Sequence, residues 1–217
     1  MLNLITSFYL PTHKKRCVEI KRCLKMNIEC SQISKIHLFL DNKECKDYID
    51  TLNTDKIVII KIGKQPLYSD LFEYANTLKG ERCMIANSDI WLFKITKPIF
   101  LKLLDQKFVL PITRHEHNLS CPKIVKYHGS HDAFLFKSPI NNNLLKNIKH
   151  PQNVWGSENV LMYELKRHGY KMLNICKIVL IIHEHESELR EKNRIRINNG
   201  GKNGNYKVRT HKVRPTF

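Results

Sequence analysis

The first half of the chain alternates short apolar runs with amphipathic stretches. Asn3 to Tyr9, Lys35 to Leu40, Ile57 to Ile62 and Cys83 to Ala86 are mostly apolar segments of strand length. Runs of this kind, bounded by polar residues, read as strands covered on both faces. Between them, Lys14 to Asn27 carries Val18, Ile20, Leu24 and Met26 among charged residues, the mark of a helix with one buried face. Lys43 to Leu52 predicts a short helix, and Tyr68 to Leu78 another, opening with Ser69 and Asp70 in capping positions. Strand and helix in regular alternation predict an α/β domain whose mostly parallel central sheet is flanked by crossover helices. After Asp89 the order loosens. Helices are expected near Lys97 to Leu104 and over Glu158 to His168, with strands near Phe108 to Thr113, Ala133 to Lys137 and Lys177 to Ile182. There is no internal repeat.

Charged residues that interrupt these apolar runs carry the candidate chemistry. In Cys83-Met84-Ile85-Ala86-Asn87-Ser88-Asp89-Ile90-Trp91-Leu92 a strand meets a short polar step and turns apolar again, which fixes Asp89 at a strand end. Ligands of open α/β sheets bind beyond the carboxyl ends of the strands, where a rigid carboxylate suits a divalent metal. The plainer reading is a strand ending in an Asx-type turn. In Ile181-Ile182-His183-Glu184-His185-Glu186-Ser187-Glu188-Leu189-Arg190, a strand continued through the segment puts His183 and His185 on one face. Two imidazoles there can ligate a metal, and Arg190 can grip phosphate through paired donors. In Val154-Trp155-Gly156-Ser157-Glu158, Ser157 is the expected N-cap and Glu158 falls in the first helical turn. A dipole-stabilised carboxylate explains Glu158 fully; the alternative is a general base facing an acceptor hydroxyl, with Trp155 as a platform for a sugar ring. Arg114, after Pro111-Ile112-Thr113, and Asp132, before Ala133-Phe134-Leu135-Phe136, are expected to face the same crevice.

Composition narrows the class. The chain has 217 residues, 42% of them hydrophobic, enough for one α/β domain with or without a tail. No apolar run approaches bilayer length, and the Met1-Leu2-Asn3-Leu4-Ile5-Thr6 start has no leader pattern. The seven cysteines (Cys17, Cys23, Cys30, Cys45, Cys83, Cys121 and Cys176) are odd in number and lack a CxxC pair. That predicts free thiols in a reducing compartment and a cytoplasmic protein. The net charge of +17 invites a nucleic-acid reading, but from Arg190 to Arg214 nine Lys/Arg face only Glu191, so this end carries +8. With its Gly/Asn run over residues 198–205 it is expected to be a mobile basic tail. The remaining +9 suits a site for anionic diphosphates and does not demand nucleic acid.

Taken in order, Thr6-Ser7-Phe8-Tyr9, the IANSDIWL step, the TRHE strand end, GSHDAFLF, the WGSEN helix start and the closing HEHESELR resemble the small GT-A-type glycosyltransferases of large DNA viruses and bacteria. The amino-terminal transferase domains of viral capsid-glycosylating proteins are the nearest in kind. The resemblance spans residues 2–190, so residues 1–190 are expected to form a GT-A-like (Rossmann-like) domain and 191–217 the tail. It implies a UDP- or GDP-type nucleotide-sugar donor, with Asp89 in the DxD position and Asn87 in place of the first acid. One carboxylate then remains for Mn²⁺ or Mg²⁺. By the same resemblance Thr6, Phe8 and Asp41 line the nucleoside pocket, with Tyr68 and Asp70 close to it, while His185 and Arg190 complete the metal and diphosphate end.

The expected reaction is glycosyl transfer to a hydroxyl of a glycan or glycoprotein, in the host cytoplasm for a viral protein. The metal, on Asp89 and His185 with His183 beside them, neutralises the departing diphosphate, with Arg190 or Arg114 adding charge. Glu158, or else Asp132, takes the acceptor proton and the configuration inverts. Two other classes stay open: a nucleic-acid-binding protein acting through the basic tail, and a metal-dependent nucleotide-sugar hydrolase using the same site with water as acceptor.

Overall fold

A computed structural model describes residues 1–40, 42–116, 123–124, 130–187, 197 and 213. The first half alternates as its pattern requires: β1 (Leu2–Phe8), α1 (Lys14–Glu29), β2 (Ile33–Leu40), α2 (Lys43–Asp50), β3 (Ile57–Lys61), α3 (Tyr68–Thr77) and β4 (Arg82–Ala86). Then come β5 (Ile90–Ile95), a 3-10 turn over Pro98–Phe100, α4 (Leu101–Leu104), β6 (Phe108–Ile112), β7 (His115–Glu116), β8 (Lys123–Ile124) and β9 (Ala133–Lys137). The chain continues through α5 (Asn142–Leu145), α6 (Ser157–Arg167), β10 (Lys171–Met172) and β11 (Val179–His183).

Seven strands make the main sheet in the order β10-β6-β9-β4-β1-β2-β3. All its pairs are parallel except those of β9, which runs antiparallel between β4 and β6. The strand order steps from β1 through β2 to β3, then returns to place β4 on the other side of β1. The reversal falls between β1 and β4, and open α/β sheets hold ligands beyond the carboxyl ends of the strands at such a point. Both faces of the sheet are covered. Leu4, Ile36 and Met84 pack with Ile20 and Leu24 of α1 on one side, and Ile5, Phe39 and Ile85 with Leu71 and Phe72 of α3 on the other. Neighbours in sequence point to opposite faces, and both faces are dry, so the strands read as continuous apolar runs.

A second sheet, β5-β11-β7-β8, stands at the end of β4. Its edge strand β5 is covered by side chains of α1 and the following turn. Asn27 donates to the Ile90 carbonyl and accepts the Leu92 N–H, each at 3.0 Å, while Gln32 accepts the Ile95 N–H at 2.8 Å. These amides replace the missing strand neighbour and fix the C-terminal end of α1 beside β5. Among the described residues no helix is long and apolar enough to cross a membrane, and six cysteines are free thiols.

Several local expectations need correction. Residues 90–95 form a strand, where only a renewed apolar stretch was legible. The segment near Lys97 to Leu104 is a 3-10 turn and one helical turn. At α3 the N-cap is Leu67, whose N–H is held by Asp70 from the first turn at 2.9 Å; Ser69 is not a cap. At α6 the N-cap is Gly156, with φ of +84°, a left-handed conformation that glycine adopts without Cβ strain. Ser157 lies one residue inside and donates to the Gln152 carbonyl. The strand toward the histidines ends at His183.

Candidate active site

Asp89 sits in the tight turn between β4 and β5, closed by the Ile90 N–H to the Asn87 carbonyl. The turn places it against the end of β11, where the Glu184 N–H donates to the Asp89 carbonyl at 3.0 Å. The extended chain past β11 keeps its alternation for two more residues. His183 and His185 face Asp89 with rings stacked at 5.1 Å and 19°, while Glu184 between them points inward and accepts the Trp91 indole N–H at 3.0 Å. His183 Nε2 lies 3.2 Å from Asp89 Oδ2; a carboxylate only accepts, so the imidazole donates. One ligand atom from each of Asp89, His183 and His185 falls within 4.8 Å of the others. A carboxylate and two imidazoles at that spacing can hold a divalent transition metal.

The sequence reading missed Arg16, in the first turn of α1. Its Nη2 donates to Asp89 Oδ2 at 2.5 Å, and its Nη1 lies 3.2 Å from His185 Nδ1 and 3.0 Å from both the Glu19 carboxylate and the Glu184 carbonyl. Glu19 in turn accepts the N–H and hydroxyl of Ser187, tying the histidine segment to α1. Burial alone would raise the Asp89 carboxyl, but His183 and Arg16 outweigh it and hold the group well below the usual carboxylate range. Nothing in the helical pattern marked Arg16, because its partners Asp89 and His185 lie 73 and 169 residues away.

Asp132 forms a second centre beside the first. Its Oδ1 accepts from Arg114 at 3.0 Å and Asn87 at 3.3 Å, and its Oδ2 from Ser130 at 2.5 Å. The Asn87 N–H also donates to the Asp132 carbonyl, which couples the two centres through the β4 end. Glu158 is half-buried in the first turn of α6. Burial raises the Tyr68 phenol pKa, and the charges of Glu158 and Asp132 raise it further.

The remaining expected site residues divide. The Thr6 hydroxyl donates to the Ala86 carbonyl at 2.9 Å and ties β1 to β4. Phe8 and Tyr68 are 2% and 1% exposed, so both rings are spent on packing, Phe8 stacked on Tyr48 and Tyr68 edge-on to Phe134 and His150. Asp70 pairs with Lys64 and borders a groove of about 790 Å³ shared with Asn76, Asn142 and Lys149, none of which belongs to the Asp89 centre. Asp41 and Arg190 lie outside the described residues. So does most of the 191–217 tail. Its two described residues both touch the domain: the Ile197 N–H donates to the Trp155 carbonyl, and the Val213 carbonyl accepts from His131 and Asn174.

This layout matches solved structures across most of the chain. A mannosyltransferase from Pyrobaculum calidifontis, in complex with GDP-Man and Mn²⁺, superposes with a TM-score of 0.56 at 11% identity, over 84% of this chain and 56% of its own. The S. aureus TarS 1-349 fragment with UDP-GlcNAc gives 0.53 at 11% identity, over 89% and 60%. GalNAc-T7 with UDP, GalNAc and Mn²⁺ gives 0.54 at 12%, over 85% and 43%. The fold is GT-A-like. The chain spans about half the length of these GT-A-like structures. No protein-family model matches it, and no curated protein does so by sequence.

Proposed function

We propose that this chain is a glycosyltransferase that moves a sugar from a UDP- or GDP-type donor to a hydroxyl of a glycan or glycoprotein. The observation that carries the reading is the Asp89, His183, His185 and Arg16 centre at the strand-order reversal of a GT-A-like sheet. The neighbours bound to GDP-Man, UDP-GlcNAc and UDP give it further support. The residues fit a divalent ion in ligand type and spacing, and Mn²⁺ or Mg²⁺ held by Asp89, His183 and His185 would supply charge neutralisation at the departing diphosphate.

In the proposed step the acceptor oxygen bonds to the anomeric carbon as the bond from that carbon to the diphosphate oxygen breaks. Glu158 takes the acceptor proton, the nucleoside diphosphate leaves with the bonding pair, and the configuration inverts. Glu158, in the first turn of α6, is the preferred base and Asp132 the alternative. In this reading Asn87, Arg114 and Arg190 belong to the diphosphate end and Thr6 and Asp41 to the nucleoside side, where the buried Phe8 and Tyr68 and the more distant Asp70 can act only from behind the pocket wall, and Trp155, 42% exposed, offers its face to an acceptor sugar. Residues 1–190 are the catalytic domain in this reading and 191–217 an appendage, in a cytoplasmic enzyme of the viral capsid-glycosylating kind.

Thermal shift against a panel of nucleotide sugars, with and without Mn²⁺, tests the reading. Stabilisation by one donor that grows with the logarithm of its concentration is expected. No response to any donor, together with salt-sensitive binding of nucleic acid, would favour the basic-protein alternative. Release of free sugar without an acceptor would favour hydrolysis.

A further inference from the structure

Arg16 reaches two of the three side chains able to ligate a metal. Its Nη2 donates to Asp89 Oδ2, the oxygen that also receives the His183 N–H, and its Nη1 approaches His185 Nδ1. Its side chain is 13% exposed, so this is an enclosed contact and not a surface pair. A guanidinium and a divalent ion carry charge of the same sign, and neither tolerates the other on one carboxylate oxygen. Arg16 also has somewhere to go. The Glu19 carboxylate and the Glu184 carbonyl already hold Nη1 at 3.0 Å, so releasing Asp89 does not leave an unpaired buried cation.

We propose that Arg16 is the resident counter-cation of this centre. Arg16 and a divalent ion compete for Asp89 Oδ2 and His185 Nδ1, so that metal enters only as the guanidinium withdraws. Without metal, the guanidinium itself supplies the positive charge at the diphosphate end. The competition rests on the donor atoms alone, while the diphosphate half rests on the glycosyl-transfer reading.

The test is a Mn²⁺ titration, without nucleotide, of the full chain and its Arg16→Gln and Arg16→Ala variants, followed by calorimetry or by the electron paramagnetic resonance of free Mn²⁺. Both variants should bind Mn²⁺ about tenfold tighter, and adding Asp89→Asn should remove the gain. UDP and GDP binding in excess chelator should weaken about tenfold in Arg16→Gln. Unchanged or weaker Mn²⁺ affinity in a folded variant overturns the competition. So does failure of both variants to melt cooperatively, because Arg16 would then be a structural tie. Diphosphate affinity independent of residue 16 overturns the second half. If Mn²⁺ binding tightens and no protein binds either diphosphate, the competition stands and the glycosyl-transfer reading fails.

Discussion

Asp89 and Asp132 are both enclosed carboxylates facing an arginine near the end of β4, yet they are held in opposite ways. Asp132 has donors on both oxygens, from Arg114, Asn87 and Ser130. At Asp89 both donors converge on one oxygen, Oδ2, and each comes from a side chain with business elsewhere: His183 within the histidine pair and Arg16 with Glu19 and Glu184. A carboxylate saturated by local donors is a strut. One shared between exchangeable cations is a place where charge can be exchanged. Enclosure and an arginine partner therefore do not separate structure from function; the number of oxygens engaged, and what else the donors hold, does.

The largest effect should come from breaking the strut. Asp132→Ala removes the carboxylate on which Arg114, Asn87 and Ser130 converge, and at about 1 kcal/mol for each hydrogen bond lost should cost about 3 kcal/mol in denaturant unfolding. A loss below about 1 kcal/mol would put Asp132 in the same class as Asp89.

Acid should weaken the Asp132 side of the domain through His150, which packs edge-on against Tyr68. Burial pushes its imidazole down to about 4. The unfolded chain takes up this proton near the ordinary value of about 6.5 and the folded chain does not, so stability is intact above that pH and declines as pH falls toward about 4. The full contribution is about 3 kcal/mol at most. His150→Phe should flatten the stability curve in that window; a curve as steep as the parent's assigns the acid sensitivity to other groups. His37, lowered mainly by burial, acts in the same direction.

Glu158 tests the proposed chemistry that the comparison leaves to a third carboxylate. Glu158→Gln keeps size and helix start, and should slow transfer by about a hundredfold with donor affinity preserved. A near-normal rate returns the role to Asp132 in spite of its three donors. Asp89→Asn should lower Mn²⁺-dependent donor affinity by about tenfold, with unfolding free energy within about 1 kcal/mol of the parent, since the amide oxygen can still accept and Arg16 keeps Glu19. An unfolded Asp89→Asn would erase the distinction between the two centres. The smallest effect should follow deletion of residues 198–217. That removes the Val213 carbonyl from His131 and Asn174, a stability cost of about 1 to 2 kcal/mol, while the donor dissociation constant moves by about threefold or less.

Periodicity alone determined the βαβ half of this protein. Strands covered on both faces are mostly apolar along their length and helices covered on one face are apolar every third or fourth residue, and β1 through β4 lie within one or two residues of where that pattern places them. Asp89 was legible as a polar step inside an apolar run, and His183 and His185 through the period of two. The β5 strand was not, because its edge is closed by Asn27 and Gln32, side chains some sixty residues away. Arg16 was invisible for the same reason: an arginine among the lysines of a solvent-facing helix start has no local signature, and only the packing of α1 against β5 carries it to Asp89. Tertiary structure alone also separated Asp132 from Asp89. Which oxygens of a carboxylate are already occupied depends on five donors from five different segments, and no spacing along the chain encodes that.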